Sequence, residues 1–70
     1  MIRVAIVGAG GMGSVHANCY GKMENAELVG VYDIRPDAAQ ALAKKHNAAA
    51  FADYETLLAE TRPDVVDVCC

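Results

Sequence analysis

Gly8-Ala9-Gly10-Gly11-Met12-Gly13 follows directly on the apolar run Ile2-Arg3-Val4-Ala5-Ile6-Val7, and the fold of this 70-residue chain is read outward from that junction. The run is almost continuously apolar, as a parallel strand covered on both faces must be. The glycines keep the spacing G-x-G-x-x-G, and the residues after them have helical character. Twenty residues beyond Gly13 a second apolar run, Leu28-Val29-Gly30-Val31-Tyr32, closes on Asp33. A glycine turn alone is common. Between a strand and a helix, with an acid ending the next strand, it is the fingerprint of a dinucleotide-binding unit.

Each residue of that fingerprint has a physical role. Gly8 lets the chain leave the strand in a geometry that a Cβ disfavours. Gly10 lets the backbone approach a pyrophosphate, and Gly13 lets the helix pack closely on the strand. Gly11 and Met12 supply backbone N–H groups at the positive end of the helix, a setting suited to an anion. The Met12 side chain is expected in the core. Asp33 offers a carboxylate to the two ribose hydroxyls of an adenosine and repels a 2′-phosphate, which selects NAD over NADP. Arg35 pulls the other way, because a nearby arginine accommodates that phosphate. Ile34 is a candidate for the adenine face and Arg35 for stacking on it, and both also have a plain solvated reading. The bland alternatives are a tight turn that binds nothing and an Asp33 that merely caps a strand.

Down the chain, Gly11 to about Lys22 reads as a helix with Met12, Val15, Cys19 and Met23 on its apolar face. Leu28–Tyr32 is the second strand. Asp37 is placed to cap a helix from Ala38 to about His46, with Ala38, Ala41, Leu42 and Lys45 on one face and Asn47 as a left-handed C-cap. His46 is expected in solvent. Ala48–Phe51 is a short edge strand, Asp53 caps a helix Tyr54–Glu60 that buries Leu57 and Leu58, and Val65–Cys70 is the last strand. This β-α-β-α-β-α-β order with short connections predicts an α/β, Rossmann-type doubly wound parallel sheet with strand order 3-2-1-4. Its ligand crevice lies where the strand order reverses, at the carboxyl ends of strands one and four.

Composition excludes several classes. Nine acidic against six basic residues give a formal charge of −3, with no electrostatic footprint for nucleic acid or an anionic membrane. No apolar run approaches the ~20 residues of a membrane span. Three cysteines without CxxC spacing fit a reducing compartment, so a cytoplasmic setting is expected. A chain this short buries only about 60% of its unfolded surface and has marginal stability.

Val4-Ala5-Ile6-Val7-Gly8-Ala9-Gly10-Gly11-Met12-Gly13, His16-Ala17, Glu27 through Asp33, Phe51-Ala52-Asp53-Tyr54-Glu55-Thr56-Leu57-Leu58 and Asp64 through Cys70 together resemble the N-terminal half-domain of the glucose–fructose oxidoreductase / inositol dehydrogenase (Gfo/Idh/MocA) family. The likeness covers the whole chain, and Phe51–Leu58 is its most discriminating part. It implies a parent oxidoreductase that uses NAD or NADP on a sugar, cyclitol or related small hydroxyl compound, and that forms homo-oligomers. It also implies that residues 1–70 are the N-terminal part of the cofactor domain. In the family, a Thr-Pro segment, a Glu-Lys-Pro with the catalytic lysine and an Asp/His pair come later. No catalytic residue is therefore expected here, and the 70 residues alone are expected to be inactive and to self-associate through the bare Val65–Cys70 edge.

The remaining chemistry-bearing residues have bland readings. His16 lies more than a turn into the first helix with no carboxylate or nucleophile assigned to it, and reads as a packing or hydrogen-bonded histidine. Cys19 and Cys69 read as core. Cys69 and Cys70 face opposite sides of a strand and cannot share a metal; no metal site is expected. Asp67, a charge inside an apolar strand, requires a partner from a neighbouring loop or helix. Two rival functions stand beside the dehydrogenase: a non-catalytic nucleotide-sensing module, and an S-adenosylmethionine-dependent methyltransferase. The third glycine and the Phe51–Leu58 segment argue against the latter.

Overall fold

Central to the computed structural model, which describes residues 1–69, is strand β1 (Ile2–Val7), whose Val4, Ala5 and Ile6 are buried. It is followed by α1 (Gly11–Gly21), β2 (Ala26–Tyr32), α2 (Pro36–Lys45), β3 (Ala49–Phe51), α3 (Tyr54–Thr61) and β4 (Val65–Val68). The four strands form one parallel sheet in the order β3-β2-β1-β4. This is the doubly wound arrangement read from the sequence. The expected strand Val65–Cys70 is shorter, ending at Val68, and Cys70 lies outside the described residues.

Pairing between β1 and β2 steps by one residue: Val4 lies opposite Leu28, but Ala5 lies opposite Gly30. A bulge of this kind lets Leu28 and Val31, three apart, face the same side of the sheet as Val4 and Ile6. That side is covered by α1 and α2, with Ala17, Ala39, Leu42 and Ala43 completing the buried cluster. On the other side α3 comes down on Gly30. A Cβ there would lie 2.5 Å from Leu57 Cδ1 and 3.0 Å from both Phe51 and Thr61, so the missing side chain is what admits the helix.

The helix faces correct the sequence reading. α1 turns Gly13 and Ala17 inward, with Tyr20 half-buried, while Met12, Val15 and Met23 stay about half exposed or more and Cys19 is exposed. Contact between Gly13 and the Gly8 carbonyl sets the rotation of the helix, and that backbone fit overrides the apolar stripe. α2 begins two residues early because Pro36 is pre-set for the first helical position. Arg35 is its N-cap and Asp37 sits in the first turn rather than capping. It buries Ala39, Leu42 and Ala43, while Ala41 and Lys45 face out. Asn47 is left-handed as expected (φ 59°), and Arg62 also adopts this conformation (φ 45°) to end α3. Asp53 caps α3 by accepting from the Thr56 amide at 2.8 Å; Leu57 is buried and Leu58 half-buried. His46 is half-buried beside Gly21, and its Nε2 is shut off from solvent with no hydrogen-bond partner, where solvent had been expected. No helix among the described residues is long and apolar enough to cross a membrane.

Candidate functional site

The carboxyl ends of β1, β2 and β4 meet at a cleft of ≈ 390 Å³ lined by Val7, Gly8, Gly10, Tyr32, Asp33, Ile34, Arg35 and Cys69. Gly8 leaves β1 with φ 102°, a conformation that L side chains rarely adopt, and its N–H donates to the Tyr32 carbonyl at 2.8 Å. The chain then turns through Gly10, the N-cap of α1, with no side chain capping the helix and no acidic residue in its first turn. The first N–H groups of a helix have no intrahelical acceptor. At α1 these positive groups open toward the turn, in contrast to α3, where Asp53 fills that role. A Cβ at Gly10 would project with only the Arg35 guanidinium within 4 Å, at 3.7 Å, so the hydrogen leaves room for a ligand to approach the backbone.

Asp33 is buried, at 8% exposure, and its two oxygens are separately held. Oδ2 accepts the Ala9 N–H at 2.7 Å, and Oδ1 accepts the Arg35 N–H at 2.8 Å with Arg35 Nε 3.5 Å away. The Ala9 amide, then that of Arg35, hold its carboxyl below the usual range against the opposing effect of burial. A carboxylate has about four lone-pair sites, so Asp33 keeps acceptor capacity toward the cleft while being locked in place. Ile34 is 84% exposed at the rim.

Of the residues expected to bind, Gly8, Gly10, Asp33, Ile34 and Arg35 all line this cleft. Gly11 is exposed at the first position of α1 and Gly13 is buried beneath it. Met12 presents its side chain to solvent, not to the core. Val7, Tyr32 and Cys69 were not picked out beforehand. All three are at or just past strand ends, and the rule that ligands sit outside the carboxyl ends of strands around the switch point is the signal that finds them. Cys69, read as core, is half-buried and does pack against the core cluster, and it also forms part of the cleft wall.

Behind Cys69 lies a second polar cluster. Asp67 Oδ2 accepts from the Tyr20 hydroxyl at 2.8 Å and sits 2.7 Å from His16 Nδ1; the Cys69 thiol is 3.4 Å from both Asp67 Oδ1 and His16 Nδ1. The partner that Asp67 required is thus α1, and His16 does have a carboxylate. Burial pushes the Asp67 carboxyl up, but hydrogen bonds from Tyr20, His16 and Cys69 outweigh it and leave the group below its usual value. The Tyr20 hydroxyl, hydrogen-bonded to that carboxylate, is pushed up to about 12. His16, Asp67 and Cys69 each offer a metal-ligating atom within 4.8 Å of the others. The His16–Asp67 distance is nonetheless that of a hydrogen bond, whereas bonds of about 2.0 Å around a tetrahedral zinc put N and O about 3.3 Å apart.

The Gfo/Idh/MocA family model, described as an oxidoreductase family with an NAD-binding Rossmann fold, matches residues 2–70. The chain belongs to this family. It is 47% identical over 70 residues to the D-glucoside 3-dehydrogenase of Escherichia coli, covering 97% of this chain and 20% of that protein. Against the glucose-6-phosphate 3-dehydrogenase of Bacillus subtilis it is 38% identical over 58 residues, 83% of this chain and 17% of the relative. Among solved family folds, a myo-inositol dehydrogenase from Lactobacillus casei, in complex with NAD(H) and myo-inositol, superposes with TM-score 0.88 at 32% identity. The match covers 99% of this chain and 21% of that one. A myo-inositol dehydrogenase from Corynebacterium glutamicum gives TM-score 0.92 at 31% identity, over 100% and 21%. The chain therefore spans about a fifth of the length of these relatives.

Proposed function

We propose that residues 1–70 are the N-terminal part of the cofactor domain of an NAD-dependent dehydrogenase acting on a hydroxyl group of a sugar, cyclitol or related compound. One observation carries this reading: the uncapped start of α1 and the locked Asp33 carboxylate sit at the two sides of one open cleft. The residues fit a dinucleotide. Amides of Gly11 and Met12 face the pyrophosphate over Gly10, and Asp33 receives the adenosine ribose hydroxyls. Ile34 and Arg35 border the adenine, while the opposite half of the dinucleotide extends toward Cys69. When bound, the nicotinamide supplies hydride chemistry. This chain's own contribution is to bind and orient; no residue in it is assigned a proton-transfer role. The sugar and cyclitol dehydrogenases to which it is similar support the substrate class, and cysteines without CxxC spacing support a cytoplasmic setting.

Calorimetric titration of NAD and NADP into the wild type and Asp33→Ala tests it. A hydrogen bond to a charged group is worth about 1.5–3 kcal/mol, so Asp33→Ala weakens NAD roughly ten- to hundredfold and narrows the difference from NADP. Circular dichroism on the same samples confirms that the variant is folded. Absent binding to the wild type, or an unaltered NAD affinity in the variant, overturns the proposal.

A further inference from the structure

Asp67 is the hub of a side-chain bridge between α1 and β4. Being ionised, its carboxylate only accepts, so His16 presents Nδ1–H to Oδ2, the Tyr20 hydroxyl donates to the same oxygen and the Cys69 thiol donates to Oδ1. This is not the geometry of a relay. A Cys-His-Asp relay uses the two opposite ring nitrogens, one for each partner, whereas here carboxylate and thiol both meet Nδ1. The cluster holds position; it does not move protons.

What it holds is specific. β4 is a strand of four residues that pairs in parallel with β1. At its end, the Cys69 N–H donates to the Val7 carbonyl at 2.8 Å, and the Cys69 side chain forms the cleft wall on the β4 side. The bridge ties this end of β4 to α1, the helix whose N-terminus faces the proposed pyrophosphate position. Asp33 lies on the far side of the cleft, at the end of β2, and makes its hydrogen bonds to Ala9 and Arg35 independently of the bridge.

We infer that His16, Tyr20 and Asp67 are positioning residues that set the nicotinamide half of the cleft through Cys69 and leave the adenosine half untouched. The inference rests on the NAD reading above and adds to it an asymmetry that the reading does not require. The full chain is titrated with NAD and, separately, with 5′-AMP, which occupies only the adenosine half. His16→Leu removes the Nδ1 donor. His16→Asn keeps an amide N–H close to the Nδ1 position. His16→Leu is expected to raise the NAD dissociation constant severalfold, with about tenfold as the ceiling reached when the whole of one charge-assisted hydrogen bond must be made good on binding, and to change that for 5′-AMP less than twofold. His16→Asn is expected to recover most of the NAD affinity, and Tyr20→Phe to show the same asymmetry more weakly. Equal losses for NAD and 5′-AMP, no loss for either, or a His16→Asn variant no better than His16→Leu overturns the inference. A wild type that binds neither nucleotide refutes the NAD reading itself, and is thereby distinguished from failure of the bridge alone.

Discussion

Methyl groups added one at a time to the glycine turn separate space needed by the fold from space needed by a ligand. A Cβ at Gly13 overlaps the Gly8 carbonyl oxygen and falls 2.9 Å from its carbon. Reaching even a tight carbon–carbon contact of about 3.5 Å requires α1 and the β1 turn to part by at least ~0.6 Å. Both partners are backbone, so no rotamer change relieves the overlap. Gly8 cannot yield easily, because its φ of 102° and its hydrogen bond to Tyr32 fix it. Overpacking generally costs about 1–3 kcal/mol, and this backbone-on-backbone case belongs at or above the upper end. A domain of this size holds roughly 0.05–0.15 kcal/mol of stability per residue, so Gly13→Ala removes a large fraction of the total. At about 4–8 °C per kcal/mol for a small domain, Tm falls by at least roughly 12 °C.

Gly11→Ala is the control, since nothing lies within 4 Å of its Cβ position and alanine is the better helix former. Its Tm stays level or rises. Gly10→Ala also has room in the protein, meeting Arg35 at an ordinary 3.7 Å, but on the proposed reading its methyl would stand where the pyrophosphate approaches. It keeps Tm and loses NAD affinity. Thermal unfolding followed by circular dichroism, with NAD titration of the folded variants, reads all three. A Gly13→Ala protein melting within about 3 °C of wild type, or a Gly11→Ala protein melting as early as Gly13→Ala, refutes the reasoning.

Stability is expected to be bounded on both sides in pH. The carboxyls of Asp33 and Asp67 are held below their ordinary values in the folded chain, so their contribution is complete above the unfolded carboxyl pKa near 3.8 and is lost as pH falls through the lower folded values. The Tyr20 hydroxyl titrates near 12 when folded against 10.0 when unfolded, so its contribution is complete below 10 and drains away between 10 and 12. Denaturant unfolding across pH checks both limits; in Tyr20→Phe the alkaline loss should shrink, and an unchanged alkaline limb refutes the assignment.

The sheet order and every helix and strand were legible in the sequence because hydrophobic runs, Gly8–Gly13, Asn47 and Asp53 are local signals. What was not legible depended on how elements pack. The stripe Met12, Val15, Cys19, Met23 looks like a buried face by periodicity, but Gly13 against Gly8 turns it outward, and no windowed pattern contains that contact. Pro36 opens α2 where Asp37 looked like the cap, since the proline's fixed φ outweighs a capping side chain one residue on. Asp33, Ile34, Arg35, Gly8 and Gly10 were legible as a cleft because they lie at or just past strand ends. The Asp67 cluster was not: its donors lie 47 and 51 residues away in the chain, on a helix face that only the three-dimensional crossing brings over β4.

If Asp33 and Arg35 meet the adenosine ribose as proposed, the choice between NAD and NADP turns on which of the two charges at the end of β2 is fixed. Arg35 is 64% exposed at its side chain and only reaches the buried Asp33 carboxylate at 3.5 Å, so solvent competes for the guanidinium. It can swing away from the carboxylate at little cost. Asp33 cannot swing, because two backbone amides on different segments grip its two oxygens. A 2′-phosphate arriving at this point meets a negative charge that does not move and a positive charge that does. Nor can the carboxyl readily take a proton to relieve the repulsion, because the same amides hold it below its ordinary range. On the proposed reading, discrimination against the phosphate would therefore reside in the anchoring of Asp33 by the Ala9 and Arg35 backbone, and the arginine side chain, despite its suggestive position in the sequence, would only temper it.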